Sequence, residues 1–383
     1  MGKNKAAQSH SFTCALDLEE NRIKRLERAQ RHGKTTNSLC SSTSTTKSLE
    51  ESDFLDKFEQ SIGVFGDSPV ANGEAGQIFD YGQGLLKLHL ADVRGEALTL
   101  MSHYVWNSAL VMAEYIEAGN ELDIQGKRVI ELGAGAALPG LLCVKRGARF
   151  VTLTDYPDPV IIKNLERNWY ENLVKSAQEK EARKGINSTD EELVHMQRLL
   201  ESTSSFCTST TSAQSNEINE DWRLIEQNVR CAVREHKWGT GVEELLGCLQ
   251  INEGSSANNN ESDNDRKYDR ILLADTLWMS EGHVALLNSC RALLSETNGK
   301  IFLCCGLHTG FTPVQRFMAL ATGENYGFKK RLIEIRRMPA WGETRTTEEL
   351  RQESRMLKEQ DLEQFSIEDR NRTVLVYELR VGK

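Results

Sequence analysis

The stretch Arg128–Tyr156, RVIELGAGAALPGLLCVKRGARFVTLTDY, decides how the rest of the chain is read. Arg128–Leu132 is a short apolar run that stops at a carboxylate, Glu131, and a glycine, Gly133. That pattern predicts a buried parallel strand running into a tight glycine turn. Ala136–Lys145 is rich in alanine and leucine and predicts a helix, and Phe150–Thr154 predicts a second strand that ends on Asp155. Strand, glycine turn, helix, strand, acid is the βαβ unit that binds a nucleotide-like cofactor. The interval from Gly135 to Asp155 fits the roughly twenty residues between such a turn and a ribose-binding carboxylate.

The turn itself bears on which cofactor. The dinucleotide fingerprint needs a third glycine where this chain has the bulky Leu138. A pyrophosphate favours an open helix N-terminus, whereas Pro139 and Gly140 follow at once. Glu131 suits a cofactor with a positive amino group better than one with anionic phosphates. These features favour S-adenosylmethionine over NAD.

Composition narrows the classes. The chain has 383 residues, room for two average domains or for one with insertions and tails. Its apolar content of 39% is below the globular norm, so part of the chain is expected to be disordered. A net charge of −9 argues against a nucleic-acid-binding face and is compatible with a basic protein or peptide substrate. The nine cysteines form no C-x-x-C pair, and with an odd count and no signal peptide they read as reduced cytosolic or nuclear thiols, several of them in the core. No zinc-ligand spacing occurs, so no metal is expected. No apolar run reaches the length of a membrane span.

Around the central stretch the chain divides readily. Residues 1–60 are polar, with a basic helical stretch at Asn21–Arg31 and then a Ser/Thr-rich segment, and are expected to be a disordered tail. Two alternating runs, LLKLHLADV and ALTLMSHYVW, are separated by Arg-Gly-Glu and predict a β-hairpin ahead of the core. Trp106–Glu117 has helical spacing. Low-complexity inserts are expected at about residues 176–218 and 252–267, interrupting what is otherwise a single domain over residues 61–383. Between and after them come a strand in CAVREHKWG, another in Tyr268–Trp278 that ends at an acid, Asp275, a helix at Glu281–Leu294, a fifth strand at Lys300–Gly306 and a helix at Thr312–Thr322. LIEIRRM and TVLVYELRV close the chain as a strand pair, separated by the charged helical stretch Thr346–Gln364. Strands alternating with helices indicate an α/β fold, a Rossmann-like doubly wound sheet of seven strands with a C-terminal antiparallel β pair.

ELGAGAALPG, then TDYPDP, KWG and LLADTLW, with H-x-x-W upstream at His103–Trp106, resemble the seven-strand S-adenosylmethionine-dependent methyltransferases of the lysine-methyltransferase group. Among these the chain looks most like the fungal family that methylates the N-terminal glycine and adjacent lysine of translation elongation factor 1-alpha, a family once named for nicotinamide N-methylation. The resemblance covers about residues 100–175, 222–310 and the terminal strands.

It implies roles position by position. Gly133, Ala134 and Gly135 match the turn under the methionine and ribose portions of S-adenosylmethionine, Asp155 the acid that accepts both ribose hydroxyls, and Trp238 the residue beside the adenine. Ala274 matches a small residue lining the cofactor, Trp106 an upstream tryptophan that covers it, and Asp275 begins D-T-L-W, similar to the group's D-x-x-(Tyr/Phe) motif. The departures are Ala137, where many relatives have glycine, and Trp278, which replaces a smaller aromatic. Asp275 is the catalytic candidate, as the carboxylate that holds and orients the acceptor amine. Glu131 either contacts the cofactor's amino group or anchors the turn. His308, after the fifth strand, either lines the acceptor side or, as the preferred reading, is a solvated loop histidine. The implied reaction is cytoplasmic methylation of elongation factor 1-alpha. The alternatives are a small-molecule enzyme acting on nicotinamide and a non-catalytic adapter that keeps the fold.

Overall fold

A computed structural model of the chain describes residues 71–92, 101–177, 225–250, 266–340 and 343–382. The polar tail falls outside them, as do the two low-complexity inserts except for a few flanking residues. The strands in chain order are β1 (Ala71–Asn72), β2 (Ile78–Tyr81), β3 (Leu86–His89), β4 (Val105–Trp106), β5 (Arg128–Leu132), β6 (Phe150–Asp155), β7 (Cys231–Glu235), β8 (Arg270–Ala274), β9 (Lys300–Gly306), β10 (Phe328–Arg337) and β11 (Thr373–Val381). The helices are α1 (Asn107–Ala118), α2 (Leu138–Lys145), α3 (Pro159–Trp169), α4 (Glu243–Gln250), α5 (His283–Leu293), α6 (Thr312–Thr322), α7 (Thr347–Met356) and α8 (Ile367–Asn371). All these elements belong to one unit, Ser68–Ala340 with Thr344–Lys383.

Seven strands form one sheet in the order β10-β11-β9-β8-β5-β6-β7. Strands β5 to β9 run parallel, and β11 is antiparallel to both β9 and β10. This is the doubly wound sheet with a C-terminal antiparallel pair that the sequence predicts. Alternate residues of each strand go to opposite cores. Val129, Leu272, Phe302 and Val376 join the core that holds α1 and α2. Ile130, Ile271, Leu303 and Leu375 join the core of α5 and α6. Two buried faces explain why these strands read as continuous apolar runs. The six cysteines among the described residues are unpaired and buried within these two cores.

Two expectations are corrected. The run at Leu86–His89 is a hairpin strand, but its partner is the upstream β2, reached through a turn with Gly82 and Gly84 at positive φ. Part of the downstream run falls outside the described residues, and Val105–Trp106 pairs instead with β1. The strand read in Tyr268–Trp278 runs over Arg270–Ala274 and stops at the acid Asp275, as expected, because Asp275 turns left-handed at φ 57° and leads the chain out of the sheet. The charged stretch Thr346–Gln364 splits into α7, opened by a capping box between Thr346 and Glu349, and a 3-10 turn at Glu359–Gln364.

Candidate active site

The chain order reverses between β5 and β8, and the cavity opens beyond the C-terminal ends of β5, β6 and β8. This is the crevice where doubly wound sheets bind ligands. Gly133 follows β5 at φ 72°, and a Cβ built there would stand 3.2 Å from both Thr276 Cγ2 and Trp238 Cζ2. Glycine is therefore required twice over, by conformation and by space. Gly135 (φ 53°) and Ala137 (φ 63°) continue the left-handed pattern. Ala137 thus keeps the turn that a glycine would make, at a cost of about 1 kcal/mol, and delays the helix expected from Ala136 until Leu138.

Asp155 ends β6 and returns to this turn. Its Oδ2 accepts from Gly135 N at 2.6 Å and its Oδ1 from Tyr156 N at 2.7 Å. Burial raises the carboxyl to about 6, against the pull of those two N–H donors. Each oxygen keeps a further lone pair, the acceptors a ribose diol needs.

Glu131 is buried, and its Oε2 accepts from Gly140 N at 2.8 Å. It therefore anchors the first turn of α2 to β5. A side chain at Gly140 would crowd this oxygen and Leu153. Burial pushes the Glu131 carboxyl up to about 8, so it holds its proton at neutral pH. A carboxyl raised from 4.5 to about 8 on folding contributes stability that is fully present below pH 4.5 and is lost as pH rises to about 8. Glu131→Gln, which mimics the protonated acid, is expected to flatten this decline. Urea midpoints between pH 5 and 8.5 measure it, and an unchanged slope in the variant would assign the decline to other groups.

Trp106 ends β4. Its Nε1 donates to Met101 O at 3.1 Å, and its ring stacks on His308 at 5.1 Å and 18°. The His308 side chain is only 3% exposed and its Nε2 lies 4.0 Å from Asp275 Oδ1, so it is not a solvated loop histidine. Asp275 itself accepts from Ser108 Oγ at 3.0 Å and from Gly306 N at 3.2 Å. Its φ of 57° is a strained conformation of the sort that clusters at functional sites. Trp238 lies against Gly133 on one side and Gly282 on the other, where a built Cβ would stand 3.4 Å from its ring. His103, of the upstream H-x-x-W, is buried and held down to about 4 by desolvation, hence neutral.

The structure brings Trp106, Gly133, Ala134, Gly135, Asp155, Trp238, Ala274 and Asp275 to the wall of one cavity. Ser108 escapes a sequence reading, and the choice between the two settings of His308 is open to it, because each acts through a partner more than thirty residues away. Among the described lining residues, apart from Glu131, which holds its proton, the acids are Asp155 and Asp275, and Lys237 is the lysine set against them. Such a wall suits a cationic nucleoside cofactor and disfavours a pyrophosphate. With a diol-binding acid, a flat indole slot and a close-approach glycine turn, these residues fit S-adenosylmethionine.

Comparison with known proteins agrees with this geometry. Residues 88–189 match the model of a family described as Lysine methyltransferase. The protein N-terminal and lysine N-methyltransferase EFM7 of Yarrowia lipolytica is 28% identical over 254 residues, 66% of this chain and 74% of that one. The protein of the same name from Schizosaccharomyces pombe is 26% identical over 255 residues, 66% and 75% of the two chains. That from Aspergillus fumigatus is 39% identical over 219 residues, 57% of this chain and 59% of the other. Among solved structures, ribosomal protein L11 methylase from Lactobacillus delbrueckii is 12% identical, with 72% and 78% of the chains covered and a TM-score of 0.32. The sheet order, rather than that likeness, identifies the fold.

Proposed function

We propose that this chain, which belongs to the lysine methyltransferase family and is an S-adenosylmethionine-dependent protein methyltransferase, modifies the N-terminal glycine and adjacent lysine of translation elongation factor 1-alpha in the cytoplasm. The observation that carries the reading is the pairing, in one cavity, of a cofactor half (Gly133, Asp155, Trp238) with an acceptor half (Trp106, Asp275). The fungal relatives named for N-terminal and lysine methylation support the same acceptor class.

When bound, S-adenosylmethionine supplies a methyl group on a positively charged sulfur, open to displacement by an amine lone pair. The acceptor must arrive neutral. An α-amine, at about 8, needs less help than a lysine at about 10.4. The apolar wall of Trp106, Val105 and Ala109 lowers an amine's pKa by desolvation. Asp275, fixed by Ser108 and Gly306, has lone pairs left to accept from the amine and to aim its nitrogen. An aromatic face at Trp106 favours a cation nearby. The rest of the rate comes from alignment of nitrogen, methyl and sulfur.

Incubation of the protein with methyl-labelled cofactor and elongation factor 1-alpha is expected to place label on the first residues of the factor. Mass spectrometry of the labelled protein reads the positions, and a factor unlabelled at its N-terminus would sink the proposed substrate.

A further inference from the structure

Residues 71–92 supply none of the described cavity wall, yet hydrogen bonds join the segment to it at two places. Asn164, Asn168 and Asn172 recur every fourth residue along α3 and the π-turn Tyr170–Val174 that extends it. Four helical residues advance about 6 Å and two strand residues about 6.7 Å, so this spacing matches alternate residues of a strand. The match is realised on β3. Asn172 accepts from Lys87 N and donates to Lys87 O, both at 2.9 Å. Asn168 accepts from His89 N at 2.7 Å and donates to His89 O at 2.9 Å, and Asn164 donates to the same carbonyl at 2.8 Å. The carboxamides grip backbone only, as a neighbouring strand would.

Asn168, fully buried, does one thing more. Its Nδ2 also donates to Ala136 O at 3.2 Å, inside the cofactor turn. At the other end of the segment, β1 pairs with β4, Ala71 opposite Trp106, and Asn72 Nδ2 donates to Val105 O at 3.1 Å. One docked segment therefore reaches both the glycine turn and the tryptophan that walls the acceptor side.

We infer that Asn168 is a positioning residue for cofactor binding, coupling the docked segment 71–92 to the turn at Ala136, while β1 of that segment holds Trp106 in place. The inference rests on the reading that this cavity takes S-adenosylmethionine. Asn168→Asp has the same shape and keeps the acceptor for His89 N, but loses the donor to Ala136 O and His89 O. Asn164→Ala is the control, since His89 O keeps its bond from Asn168.

The test titrates the full chain with S-adenosylhomocysteine by calorimetry, well below the thermal midpoint of each unliganded variant. The expected result is a dissociation constant at least tenfold weaker for Asn168→Asp and within twofold of wild type for Asn164→Ala. In turnover, Asn168→Asp raises KM for the cofactor with kcat at saturation nearly unchanged, which a general loss of stability would not produce. Affinity within twofold of wild type for a folded Asn168→Asp overturns the inference. If that variant does not fold, Asn172→Ala decides. It severs the grip on Lys87 and one bond to the backbone Asn168 O while leaving the Asn168 carboxamide in place, and unchanged S-adenosylhomocysteine affinity there overturns the inference too. A wild-type protein that binds no S-adenosylhomocysteine overturns the cofactor reading itself, whereas binding with no effect of the variants overturns the coupling alone.

Discussion

Replacing Asp155 by alanine is expected to weaken S-adenosylmethionine binding by about 10²–10⁴-fold. Hydrogen bonds to a charged acceptor contribute about 1.5–3 kcal/mol each, and a ribose diol makes two. The substitution also releases Gly135 N and Tyr156 N from the oxygens that hold them, loosening the turn. The same carboxyl sets a pH limit. Burial holds it at about 6 in the unliganded protein, so it is ionised and competent above that value and takes up a proton below it. Cofactor affinity is therefore expected to be level from pH 7 to 8 and to fall about tenfold per unit below pH 6. Calorimetric titration at pH 7.5 and 5.5 measures both effects. Full affinity in the alanine variant would remove Asp155 from the site.

Asp275→Asn is expected to act on the other half of the reaction, lowering kcat by about 10²-fold while the cofactor's dissociation constant changes by less than about threefold. Asparagine tolerates the left-handed conformation at this position, so the fold is retained. What changes is the hydrogen bonding. An amide cannot accept on both sides, so its NH₂ group faces either the Gly306 N–H or the Ser108 hydroxyl, and the acceptor amine loses a charged partner. Ser108→Ala, which leaves the carboxylate but frees it to turn, is expected to cost about tenfold in kcat. Single-turnover rates at saturating cofactor separate the two steps, and an unaltered rate in Asp275→Asn would mean that the acceptor is oriented by other groups.

The sheet was legible because its strands are buried on both faces, and burial on both faces writes continuous apolar runs such as KIFLCCG and RILLA into the sequence. The cofactor side was legible too, since Gly133 and Asp155 lie at or just beyond strand ends where local pattern and spacing mark them, and the family resemblance marks Trp238. The acceptor side was less so. His308 follows a strand as any loop histidine does, and its burial comes from Trp106, far earlier in the chain. Ser108 is an unremarked serine in a helix until Asp275 is brought to it. The hairpin was misread for a related reason. Leu86–His89 carries a strand pattern that is silent about its partner, and the Gly82 and Gly84 turn upstream outweighs the Arg-Gly-Glu downstream. One signal was present and unread, the asparagines at 164, 168 and 172, which no apolar periodicity accounts for.

Strand β11 follows β10 in the chain but lies between β10 and β9 in the sheet, hydrogen-bonded to both. A ribosome delivering this protein therefore makes β9 and β10 well before the strand that joins them. Until Thr373–Val381 emerges, both hold open edges that can template pairing with another chain. The delay reaches the candidate active site as well. Thr373 O accepts from Leu307 N and Val374 stands opposite Gly306, the residue whose N–H steadies Asp275. A newborn chain can thus assemble its glycine turn early, but the proposed acceptor pocket is complete only once Thr373–Val381 has emerged.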